Sequence, residues 1–198
     1  IKTTKLVAGK GTNDIDFKVN VNGIFIPEYI RWTKMLSRCY LDRPEYATYK
    51  DCEVCDEWLK FSNFYNYCQE NKLEIPYQHA HLGYQLDKDL LIKNNKIYSP
   101  ETCLWLPSEL NTLLTYRRKD RGNYPVGVSK HNQYFKAQLS TGNSNRTLLG
   151  YFKTPEEAFE AYKKAKENHI KFKAEEYKDI ISDKTYQALI NYVVNITD

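Results

Sequence analysis

Four residues, Thr154-Pro155-Glu156-Glu157, constrain this 198-residue chain more than any others. A threonine side chain accepts from the backbone N–H three residues on, and a glutamate at that position reaches back, so the first turn of a helix is closed reciprocally. Proline at the first helical position has its φ preset and lacks only a donor that would have had no partner there. A helix therefore starts at Pro155 and runs through "PEEAFEAYKKAKENHI". Ala158, Tyr162 and Ala165 give it a small, narrow face that lets a sheet approach closely. Three short strand-like runs precede it, "PVGVSK", "QYFKAQLS" and "RTLLGYF", with turns at His131-Asn132 and Thr141-Gly142-Asn143. One or two terminal helices are expected around "KAEEY" and "KTYQALINYVVNI".

The first half follows a different pattern. Residues 1–14 read as a flexible lead-in with Gly9 and Gly11. "DIDFKVNVNG" alternates as a short strand ending at a turn around Asn22-Gly23. Pro27 opens a helix whose apolar stripe is Tyr29, Trp32, Met35, Leu36 and Cys39, broken at Arg43-Pro44. "DEWLKFSNFYNYCQEN" reads as a second amphipathic helix, with Trp58, Phe61, Phe64, Tyr65 and Cys68 as core. "YQLDKDLL" and "NKIYS" are expected to pair as a hairpin around Lys93-Asn94-Asn95. "PSELNTLL" follows as a short helix with Ser108 as its cap. The fold class is α+β: a helical N-terminal part ending in a hairpin–helix motif, then a three-stranded antiparallel sheet packed on a helix. The expected boundaries are an extension over 1–27, a first domain over 28–116, a basic linker over 117–123 and a second domain over 124–198.

Charge is unevenly placed. Residues 1–114 carry a net −1, residues 115–152 a net +6 and residues 153–198 a net −1, so the whole excess of +4 lies in one short segment. Concentrated positive charge is the footprint of a surface for polyanions. No apolar run approaches the ~20 residues of a membrane span, and no signal peptide is evident. The five cysteines, an odd number, suit reduced thiols in a cytoplasm. Cys52-Glu-Val-Cys55 has zinc-knuckle spacing without a second close pair, so these thiols are expected to be buried beside Trp58 and Phe61, without a structural zinc.

The run "GVSKHNQYFKAQLS…RTLLGYFKTPEEAFEAYKKAKE" resembles the APETALA-type (ethylene-response-factor) DNA-binding domain. The matching residues are Gly127, Val128, Tyr134, Ala137, Leu149, Gly150, Phe152, Thr154, Glu156, Glu157, Ala158, Ala161 and Tyr162. The resemblance covers about residues 124–178. It implies a sheet laid in the major groove of double-stranded DNA, with Ser129, Lys130, Tyr134, Lys136, Gln138 and Arg146 as contacts. Strand alternation independently places Tyr134, Lys136 and Gln138 on one face and Phe135, Ala137 and Leu139 on the other. Arg117, Arg118, Lys119 and Arg121 of the linker are expected to add backbone contacts.

The runs "WTKMLSRCY", "VCDEWLKFSNF", "LDKDLL", "YSPETCLW" and "ELNTLL" resemble the HNH (ββα-metal) endonucleases found with such domains in bacteriophages and mobile elements. That resemblance implies DNA nicking or cleavage of the homing-endonuclease type with Mg²⁺ or Mn²⁺. Asp87 falls at the acidic metal-ligand position, and Asp89, two residues on, is a second ligand candidate. Lys88 stands where the general-base histidine usually does and is assigned a phosphate contact. Thr102 stands where the middle asparagine does, and Asn111 falls near the last polar residue of the motif. His79 and His81 are the histidines that could reach the site from upstream. The alternative function is a catalytically inactive, nuclease-derived DNA-binding protein, regulatory or acting against a host. The aromatic richness leaves a protein partner as a third class.

Overall fold

The computed structural model of the protein describes residues 5–71, 83–115, 123–141 and 146–198. It is mixed α+β, as expected. Among the described residues no helix is long and apolar enough to cross a membrane. The chain divides into two compact units, the first drawn from residues 1–73 and 86–105, the second from 74–85 and 106–198.

In the first unit, β1 (Asn20–Val21) and β2 (Ile24–Phe25) pair antiparallel across a turn at Asn22 and Gly23, both at positive φ. Helix α1 (Pro27–Tyr40) follows, with Pro27 in its first turn and Trp32, Met35 and Leu36 buried. A 3-10 turn spans Pro44–Tyr49. Strand β3 (Glu53–Val54) is held by Tyr40, whose hydroxyl accepts from Val54 N at 3.0 Å. The second amphipathic segment is not one helix. A 3-10 turn covers Asp56–Leu59, Lys60 is extended, and α2 runs over Phe61–Glu70. The cause lies far upstream. Thr12 bridges Lys60, taking Phe61 N on its carbonyl at 3.0 Å and donating its own N–H to Leu59 O at 2.8 Å.

Over residues 7–14 the expectation of a flexible lead-in is overturned. Val7 and Gly11 form a bridge, and Gly11 lies so close to Trp32 and Leu36 that a Cβ there would stand 2.3 Å from Leu36 Cδ1. Asp14 accepts from the N–H and hydroxyl of Ser62 at 2.9 and 2.7 Å, so it satisfies the start of α2 from outside the helix. The core holds Trp32, Leu36, Trp58, Phe61 and Phe64, all essentially inaccessible. Trp32 Nε1 donates to Trp58 O at 2.7 Å, so its one polar atom is satisfied within the apolar cluster.

The expected hairpin around residues 93–95 does not form. Strand β4 (Tyr84–Asp87) pairs with β6 (Leu104–Pro107), and β5 (Ile97–Tyr98) pairs parallel with β3. Helix α3 (Ser108–Leu114) follows β6 directly. Ser108 is not its cap: Pro107 holds that position, and no side chain closes the turn.

The second unit contains the three-stranded antiparallel sheet of β7 (Val128–His131), β8 (Tyr134–Ser140) and β9 (Arg146–Phe152), in that order. It packs on α4 (Pro155–Glu176), which carries the complete capping box of Thr154 and Glu157. "KAEEY" is the end of this helix rather than a separate one, because no breaker interrupts it. A shorter helix, α5 (Asp183–Ile190), follows, capped by Ser182. Leu139, Phe159, Tyr162 and Val194 form the buried cluster between sheet and helix. Gly127, at φ +76, lies against the Tyr162 ring, where a Cβ would meet Cδ2 at 2.0 Å. Glycine is thus required there twice over, by conformation and by space.

Candidate functional site

The open face of the sheet is built by alternation and register. Ala137 and Leu139 point into the core and are buried, so Tyr134, Lys136 and Gln138 point away from α4. On β7, Ser129 opposes Lys136 and His131 opposes Tyr134. On β9, Tyr151 opposes Lys136, Leu148 opposes Gln138 and Arg146 opposes Ser140. Residues opposed across a ladder share a face. The register slips between Ala137 and Gln138, leaving Leu149 as an extra residue that packs against the core. Gly150, at φ +146, permits this bulge. Without the slip, Leu148 would not face outward beside Gln138.

The resulting face carries Ser129, His131, Tyr134, Lys136, Gln138, Arg146, Leu148 and Tyr151. Tyr134, Leu148 and Tyr151 are 41, 48 and 48 % exposed, large values for apolar side chains on a sheet. The His131 and Tyr151 rings stand 5.0 Å apart. No residue of the three strands is acidic. Lys130 is placed differently from expectation. It opposes Phe135, and its ammonium sits 4.1 Å from that ring's centroid, on the side of the sheet that faces the helix. Arg117, Arg118, Lys119 and Arg121 lie outside the described residues, as do His79 and His81. Sequence reading missed His131, Leu148 and Tyr151 as members of this face. Gly150 was the available signal for the bulge.

The Asp87–Asp89 segment belongs to the first unit. Asp87 Oδ1 accepts from Asp89 N at 3.0 Å and Leu90 N at 2.7 Å, a turn that ends β4. Burial pushes the Asp87 carboxyl above the usual carboxylate range, and the Leu90 N–H opposes that shift. Because the strand stops at Asp87, Asp89 does not continue its face. Both Asp89 oxygens instead accept from Lys88 Nζ, at 2.9 and 2.8 Å. Lys88 is buried, and its ammonium makes a third bond to Asn95 O at 2.6 Å. Three bonds match the three donors of an ammonium group. Asn95 closes the loop by donating to Lys88 O and Ile97 O, at 2.9 and 2.6 Å. These bonds hold residues 88–97 as a loop, which is why no hairpin pairs there. Thr102 is also internal, its hydroxyl donating to Ile97 O at 2.8 Å.

Asn111 belongs to the second unit. Its side-chain amide donates to Gln85 Oε1 at 2.8 Å. Among the described residues no group of three or more His, Cys, Asp or Glu side chains comes together as a metal would require. Asp89 is engaged by Lys88, and one Asp87 oxygen accepts from two N–H groups. The cysteines are free thiols, and burial raises Cys39, Cys68 and Cys103 to about 12. Comparisons of the chain with protein-family models, with curated proteins and with solved structures find no match.

Proposed function

We propose that this protein binds double-stranded DNA through the open face of the β7–β8–β9 sheet. One observation carries the reading: the strands present Lys136 and Arg146 beside amide, hydroxyl and aromatic groups on the side away from α4, with no acidic residue among them. Such a face suits a polyanion whose groove edges offer hydrogen-bonding groups. The net +6 of residues 115–152 supports the same partner. The resemblance to the APETALA-type domain points the same way. The setting is the cytoplasm, in an infected bacterium if the gene is of phage origin.

An endonuclease activity using Mg²⁺ or Mn²⁺ is the weaker reading, since Lys88 and Asp89 satisfy one another. We favour a DNA-binding protein without nuclease activity. The test is fluorescence anisotropy of the full chain with duplex DNA across a salt series. Affinity is expected to fall steeply with salt, and Lys136→Ala or Arg146→Ala should each reduce the log–log slope by about 1. Absence of binding, or binding indifferent to salt and to both variants, would sink the proposal.

A further inference from the structure

We infer that Gln138 and Leu148 together read an A·T base pair, an inference that rests on the proposed duplex binding by the same face. The open face is a ladder of rungs set by the register. Ser140 opposes Arg146, Gln138 opposes Leu148, and Lys136 opposes Tyr151. Of these three outward rungs between β8 and β9, the two flanking ones each carry a lysine or arginine and the middle one carries none. Cations at the two ends suit phosphates, which lie on either side of a groove and hold no sequence information. The neutral centre is left for base edges.

The two side chains of that rung are a matched pair. Directly opposed residues have Cβ atoms about 4.5–5.5 Å apart, so one amide and one isobutyl group stand side by side. Leu148 is 48 % exposed, an apolar group kept in water when the neighbouring Leu149 is turned toward the core by the bulge. In the major groove an A·T pair displays the adenine N7 acceptor and N6 donor together with the thymine methyl. The Gln138 amide can donate to N7 and accept from N6–H, while Leu148 covers the methyl. A G·C pair fits neither half. Guanine presents two acceptors, N7 and O6, so the amide oxygen would face a second oxygen, and cytosine offers no methyl to the leucine.

The experiment starts by selecting duplexes from a randomised library with the full chain, then measuring affinity for the preferred sequence. An A·T pair is expected at its centre. Replacing that adenine by 7-deazaadenine, which removes N7, should weaken wild-type binding on the order of 10-fold, and replacing the thymine by uracil a few-fold. Gln138→Ala should be insensitive to the first change and Leu148→Ala to the second. Because the base analogues need no mutation, this readout survives if either variant folds poorly. A preferred site without such a pair, equal affinity for all duplexes, discrimination kept in Gln138→Ala, or equal binding of the separated single strands would each overturn the inference while leaving binding itself intact. Failure to bind any duplex would overturn the underlying reading and this inference with it.

Discussion

Asp87 was legible in the sequence as a special carboxylate, but not what it does in the fold. Its side chain closes a turn by accepting two backbone N–H groups. A carboxyl raised by burial favours the folded state while protonated, and this contribution is lost as pH rises through its folded value. Asparagine keeps the accepting oxygen and sheds the charge. Asp87→Asn should therefore match or exceed the wild type in urea unfolding at pH 7, with the advantage shrinking toward pH 4. Asp87→Ala should lose about 1–3 kcal/mol, the cost of leaving donors unmet. Equal losses in both variants would refute this structural role. Lys88 teaches a related lesson. The resemblance assigns Lys88 a phosphate contact, yet it is buried with its donors turned inward to Asp89 and Asn95. Only the fold of the following loop could reveal that.

At the scale of elements, α4 was the most legible part, because capping and periodicity are local properties. Its stripe nevertheless contains Lys166, which is 6 % exposed. Burial lowers this ammonium to about 8, from 10.5 in the unfolded chain. A lysine lowered in this way weakens the fold while charged, so the wild type gains stability as pH rises from 8 to above 10.5. Lys166→Met should be more stable at pH 7 by ~1–3 kcal/mol, and the gap should narrow by pH 10. Urea midpoints at both values test it; a constant gap or a destabilised variant would contradict the account. The helix α2 shows the opposite case. Its aromatic spacing was read correctly, but the break at Lys60 comes from Thr12, forty-eight positions upstream by the same separation as Asp14 and Ser62.

For the whole molecule, the nuclease question turns on groups assembled from distant segments. The described residues do not bring together a set of metal ligands. On the proposed reading as a binding protein, supercoiled plasmid incubated with the full chain is expected to stay intact in Mg²⁺ or Mn²⁺ as well as in EDTA. Metal-dependent nicking that disappears in Asp87→Ala would reverse this expectation and assign catalysis to the Asp87 segment. By itself the sequence determined the α+β class, the capped helix α4, the three strands before it and the alternation that points Tyr134, Lys136 and Gln138 one way. Each of these depends on hydrogen bonds and periodicities spanning only a few residues. The tertiary structure alone decided that β4 pairs with β6, that Lys88 is buried, that Gly11 packs on α1, and that a bulge sets Leu148 beside Gln138. Strand partners, burial and register are chosen by contacts between distant segments, and a local stretch of sequence carries no record of which distant segment it will meet.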